Sequence, residues 1–189
     1  MTITWSNDLI SDQAQVNAWH PVLSSHAPGV AAAVPMTDRL RLVVLDLTDH
    51  AGRGAEVVGE VNASASTLSA VELADYLVAA QLNSSRCSSV AIADLFADGS
   101  LDLQVRNAPP AVLLSPGNPP RLLPGGIRER VVPGEVLLLC SASFLEDPPA
   151  VLGTVRQMPG DDTSLARLRQ ALKTTPHRGA TASVAAGSL

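Results

Sequence analysis

The residues best placed for chemistry in this chain are the carboxylates that close an apolar strand. Arg39–Asp46 reads RLRLVVLD, with Asp49 three residues beyond Asp46 and His50 next to it. Hard divalent cations take oxygen ligands, so a metal reading needs several carboxylates to converge. Asp46 and Asp49 share one turn and are the natural starting pair. The competing reading makes Asp46 a strand-end residue that caps this turn. Gly52-Arg53-Gly54 follows, but it fits neither the P-loop nor the dinucleotide pattern and reads as a glycine-rich entry to a helix. Ser, His and Asp all occur, yet there is no Gly-x-Ser-x-Gly elbow, and His20, His26, His50 and His177 lack a defining context. Cys87 and Cys140 have no metal-type spacing and read as inert, partly buried thiols.

The elements that must position these residues are short strands and a few helices. Arg39–Asp46 alternates and then turns fully apolar, as a strand does on entering a core. Ser89–Phe96 and Leu101–Arg106 flank Ala97-Asp98-Gly99-Ser100, a hairpin turn. Glu135–Cys140 follows the turn Pro133-Gly134. Gln15–Trp19, Gly29–Val34, Ala111–Leu114 and Ala180–Ala185 are further strand candidates. Ser69-Ala70-Val71-Glu72 is a capping box, opening a helix to Leu82 with Val71, Ala74, Leu77, Val78 and Leu82 on one face. Asp161-Asp162 offers an N-cap for a helix over Thr163–Thr175, with Leu165, Leu168 and Leu172 as its apolar stripe. A third helix is expected between Ala51 and Thr67. The Pro- and Gly-rich stretch 109–134 reads as tight loops between short strands, since apolar pairs recur inside it.

Composition sets the class. The chain has 189 residues, 46% hydrophobic and 16% charged, which suits one globular domain over residues 1–189. Aromatics are only 3%, so Leu, Val and Ala must fill the interior. The net charge of −5 and the scattered arginines argue against nucleic acid as a partner. The apolar runs fall far short of the ~20 residues a membrane span needs. With nothing like a signal peptide at Met1–Asn17, a cytoplasmic protein is expected.

Four stretches, in order, resemble the SpoIIE/RsbU/RsbX branch of the PPM-type, metal-dependent serine/threonine phosphatases. Leu42–Ala55 (LVVLDLTDHAGRGA) is similar to that family's strand ending in Gly-Asp-Val-Ser-Gly-His-Gly. Ala97–Leu123 resembles its hairpin and Asn-Ala-Gly-His-Pro-Pro loop, with Asn107-Ala108 kept and Pro109-Pro110 in place of Gly-His. Pro133–Glu146 (PGEVLLLCSASFLE) is similar to its Pro-Gly-Asp, apolar strand and Thr-Asp-Gly. His177–Ala185 resembles its closing strand, which normally opens Asp-Asp-Ala-Thr.

The resemblance implies an α/β (α+β) fold, an α-β-β-α sandwich of two antiparallel sheets flanked by helices. It also implies that Asp46 occupies a metal-ligand position, vestigial or residual, with Asp49 beside it. The other ligand positions are degenerate. Pro28 falls where the first Asp would be, Ala142 replaces the Asp of Thr-Asp-Gly, and Arg178-Gly179 replaces the terminal Asp-Asp. Glu146, Asp147, Asp161 and Asp162 are the carboxylates that could relocate into such a centre, although Asp161 and Asp162 already serve as helix caps. The function so implied is a pseudophosphatase, without cofactor and with no confident catalytic residue. It would act as a regulatory binding module in partner-switching, sigma-factor-type stress signalling, on a STAS-type anti-anti-sigma factor or its kinase. The alternative is an active phosphoserine/phosphothreonine phosphatase using Mn or Mg.

Overall fold

The computed structural model describes residues 11–12, 19–48, 54–79, 81–82, 85–146, 162–174 and 178–186. The strands are β1 (Ser11–Asp12), β2 (Trp19–His26), β3 (Gly29–Pro35), β4 (Arg39–Leu47), β5 (Gln81–Leu82), β6 (Ser85–Phe96), β7 (Ser100–Arg106), β8 (Ala111–Leu114), β9 (Arg121–Leu123), β10 (Ile127–Arg130), β11 (Val136–Cys140) and β12 (Gly179–Ala186). The helices are α1 (Gly54–Ala65), α2 (Ala70–Ala79), α3 (Ala142–Glu146) and α4 (Asp162–Thr174). One sheet runs β1-β2-β12-β11-β8-β9 and the other β10-β7-β6-β4-β3, with β5 beside β6. Every pairing is antiparallel.

Burial explains the apolar patterns. Leu40, Leu42 and Val44 of β4 point between the sheets, where they meet Ala91, Ala93 and Leu95 of β6 and Leu137, Leu139, Ala180 and Ala182 of the other sheet. Val43, Leu45 and Leu47 point outward onto Val57, Val61, Leu73 and Leu77 of α1 and α2. A strand buried on both faces has no polar side to show, hence the unbroken run. On the far side, Leu138, Cys140 and Phe144 meet Leu168 and Leu172 of α4. The layers are therefore helix, sheet, sheet, helix, as expected, and alanine and leucine fill the low-aromatic centre.

Arg41 interrupts the outward row of β4 and is fully buried. Its guanidinium donates from Nε and Nη2 to the two oxygens of Asp94, at 2.6 Å each, and from Nη1 to the carbonyls of Ala65 and Leu68 at 2.6 and 2.7 Å. That clamp ties the C-terminal end of α1 to the sheet.

Several expectations need correction. The capping box is real: the Ser69 hydroxyl donates to Glu72 at 2.7 Å, and the Glu72 N–H donates back at 3.3 Å. The helix stops at Ala79, however, and Leu82 lies in β5. Its buried stripe is Ala70, Leu73, Ala74 and Leu77, while Val71 and Val78 are 43% and 37% exposed. The i, i+3, i+4, i+7 rule fits Ala70–Leu77 better because it includes Leu73. Of Gln15–Trp19, residues 15–18 lie outside the described residues, and the strand found here begins at Trp19. Strands β1, β5, β9 and β10, β2 beyond Trp19, and helix α3 lie outside the strands and helices read from the sequence. Among the described residues no helix is long and apolar enough to cross a membrane.

Candidate functional site

The two sheets meet at one end of the sandwich through four strand termini. On one side Gly29, Asp46 and Ser89 lie side by side across β3, β4 and β6. A register shift follows Asp46, after which the Leu47 N–H donates to the Pro28 carbonyl at 3.1 Å and the Thr48 N–H to the Arg86 carbonyl at 2.9 Å. On the other side β11 ends at Cys140, and Ser141 exchanges two bonds with Ala180 of β12: its N–H reaches the Ala180 carbonyl, and its Oγ accepts from the Ala180 N–H, both at 2.9 Å. The chain then coils into α3.

Asp46 is where the two sides join. It is 2% exposed. Its Oδ2 accepts from the Ser143 N–H at 2.7 Å and the Ser89 hydroxyl at 3.1 Å, and its Oδ1 accepts from the Ser143 hydroxyl at 2.6 Å. With the Ser143 proton committed to Asp46, the 3.2 Å contact between the Ser141 and Ser143 oxygens makes Ser141 the donor. Two chains of donors thus converge on one carboxylate. The first runs from the Ala180 N–H through Ser141 and Ser143; the second runs from the Ala142 N–H, 3.4 Å from Ser89 Oγ, through Ser89. Asp46 caps a helix, but not beside its own strand: it caps α3, accepting the Ser143 N–H from 97 residues away, while the Ala142 N–H goes to Ser89 Oγ.

Glycines let the backbones close around this network. Gly179 sits at φ +79°, where a Cβ would lie 2.5 Å from Phe144 N and Ser143 Oγ and 2.6 Å from Ser141 Oγ. A Cβ on Gly29 would collide with Ala180 N and with the Gly179 backbone. Only residues without a side chain fit at either position.

The structure therefore gathers Pro28, Asp46, Ala142 and Gly179 at one end. Arg178 flanks them, exposed, and it is Gly179 that faces the serines. Asp49, His50, Asp147, Asp161 and His177 lie outside the described residues, as do the side chains of Glu146 and Asp162. Ser89, Ser141 and Ser143 are the residues that sequence reasoning missed. Their only signal is hydroxyls flanking the apolar runs Val90–Ile92 and Val136–Cys140.

Neither cysteine is set up as a nucleophile. Burial pushes the Cys87 thiol up to about 12, against the bond to the Ser89 carbonyl and with help from the Asp46 charge. Burial alone lifts Cys140 to about 12. Thiolates, the reactive form, are scarce at neutral pH under those conditions.

No protein-family profile and no curated protein matches this sequence. Solved structures do match it. The RsbU and RsbW domains of Rv1364c from Mycobacterium tuberculosis superpose with a TM-score of 0.66 at 14% identity, over 96% of this chain, which spans 63% of that one. RsbX in complex with magnesium gives 0.64 at 11% identity, over 93% of this chain and 98% of that one. The PP2C domain of SiaA from Pseudomonas aeruginosa gives 0.54 at 13% identity, over 92% and 87%. At these identities the likeness is one of fold: the chain has a PPM-type phosphatase-like fold.

That fold implies a divalent-metal centre, and the described residues at this end do not fit one. A magnesium-type ion needs octahedral oxygen ligands and keeps several waters. Here the Asp46 oxygens are occupied by hydroxyl and amide donors, Ala142 and Gly179 offer no ligating side chain, and backbone fills the space against Gly179. Among the described residues no group of three or more His, Cys, Asp or Glu side chains comes together.

Proposed function

We propose that this chain is a regulatory protein-binding module on a phosphatase scaffold, a pseudophosphatase that binds its partner without hydrolysis. One observation carries the reading: the carboxylate at the family's metal position is spent on Ser143 and Ser89. Without two bound metals to activate a water and neutralise phosphoryl charge, the two-metal route to in-line displacement has no catalyst. The partner class is a phosphorylatable regulator of the STAS anti-anti-sigma type, or its kinase. The support is contextual, since one structural neighbour joins an RsbU to an RsbW domain in a single chain. The module acts in the cytoplasm as one domain over residues 1–189.

The test is a calorimetric titration with manganese, alongside an assay of p-nitrophenyl phosphate and a phosphoserine peptide. The expected result is no stoichiometric metal uptake and no turnover above the uncatalysed rate. Metal uptake with turnover that Asp46→Asn abolishes would establish an active phosphatase instead.

A further inference from the structure

Asp46 does more than fail as a ligand; we infer that it is the polar staple that locks the two sheets together at this end. This shares with the proposed function only the claim that Asp46 binds no cation, and it concerns what the carboxylate does in its place.

Elsewhere the sheets meet mainly through Leu, Val, Ala and Trp19 side chains, whose attraction is non-directional and fixes no register, with one further directional bond from the Ala31 N–H of β3 to the Ser25 hydroxyl of β2. At this end the contact is directional. Asp46 and Ser89 belong to the β4–β6 sheet, while Ala180 stands at the start of β12 of the other sheet, and Ser141 and Ser143 lie in the segment that leaves β11 and enters α3. Five groups on separate elements are joined by bonds of 2.6–3.2 Å that all point toward one carboxylate. Linked hydroxyls polarise one another and so bind the acceptor more tightly than isolated donors would. Burial raises the stakes, because each donor left without its acceptor bears its full desolvation cost. Gly29 and Gly179 complete the device, since a side chain at either would hold the sheets too far apart for these bonds. The cluster therefore positions α3 and the start of β12 without an ion.

A double-mutant cycle tests this, using denaturant unfolding of the full chain, Asp46→Asn, Ser143→Ala and the pair. Each single variant lowers the folding equilibrium constant by roughly tenfold to a hundredfold, the range for an orphaned buried polar group. The pair costs clearly less than the product of the two, because both remove the same bond. Additive losses, or no loss in either, would overturn the staple while leaving the pseudophosphatase reading intact. A manganese-dependent gain in stability that Asp46→Asn lacks would overturn both. If Asp46→Asn does not fold, hydrogen exchange on the native chain decides the matter. Ser143 and Ala180 amides as slow as those of the central strands support the staple, and exchange at the rate of an exposed loop refutes it.

Discussion

Two buried aspartates stand on neighbouring strands of one sheet, and their carboxylates are satisfied in opposite ways. Asp94 on β6 faces the helices and is met by charge: Arg41 grips both oxygens, and Arg39 Nε lies 3.2 Å away. Asp46 on β4 sits at the sheet's end and is met by neutral donors alone, two hydroxyls and an amide. The first arrangement is a closed ion pair that also gathers the carbonyls ending α1. The second is a hub whose donors come from its own sheet, through Ser89 of β6, and from α3, through Ser143, which Ser141 links on to β12 of the opposite sheet. Charge compensation is local to one layer here, whereas the neutral network spans two. The end of the fold that holds Pro28, Asp46, Ala142 and Gly179 is thus closed around a carboxylate by hydroxyl and amide donors.

The largest effect should come from breaking the charged arrangement. Arg41→Met strands Asp94 without its bidentate partner, and removing one member of a buried pair costs about 3–5 kcal/mol. Urea unfolding measures this, and adding Asp94→Leu should restore part of the loss. If Arg41→Met cost less than Asp46→Asn, the ranking of the two sites would be reversed. Asp46→Asn should come second, at about 2 kcal/mol, because neutral donors retain some pairing to the amide oxygen.

A milder control lies on the surface. Ser69 and Glu72 repeat the hydroxyl-to-carboxylate bond of Ser143 and Asp46, at 2.7 against 2.6 Å, but exposed. Ser69→Ala should lower stability by about 1 kcal/mol in thermal melts. The Ser69 hydroxyl, then its N–H, hold the Glu72 carboxyl below its ordinary value. Its contribution is therefore present above the ordinary carboxylate range and is lost as pH falls through the lowered value. The smallest effect below pH 8 concerns Cys87 and Cys140. Both thiols are raised to about 12, so their contribution is complete below the ordinary thiol pKa of about 8.5 and is lost as pH climbs from there to about 12. Unfolding midpoints should be flat from pH 7 to 8 and should fall above pH 9.

Much of the fold was legible because its signals are local. β4, the β6–β7 hairpin, β8 and β11 announce themselves through apolar runs and turn residues, and Gly99 takes the positive φ that the Asp98-Gly99 turn demands. The capping box fixed the start of α2 for the same reason. β2 was missed because WHPVLSSH mixes a buried Ser24 with a buried Trp19 and shows neither alternation nor an apolar run. β9 and β10 are three and four residues long, too short to show a period. α3 has no local cap signal, since its cap is Asp46. The site was half legible. Asp46, Pro28, Ala142 and Gly179 were picked out by family resemblance and do come together. The serines were not, because a hydrogen bond between residues 97 apart leaves no trace in either neighbourhood.

The central claim is that Asp46 holds the fold together without a cation, and thermal unfolding tests it most directly. Any ligand that binds the native state alone raises stability, by about 2.7 kcal/mol at a hundred times its Kd. The wild-type chain should melt at the same temperature in EDTA, in millimolar magnesium and in millimolar manganese. A midpoint that rises with manganese in the wild type but not in Asp46→Asn would contradict the account.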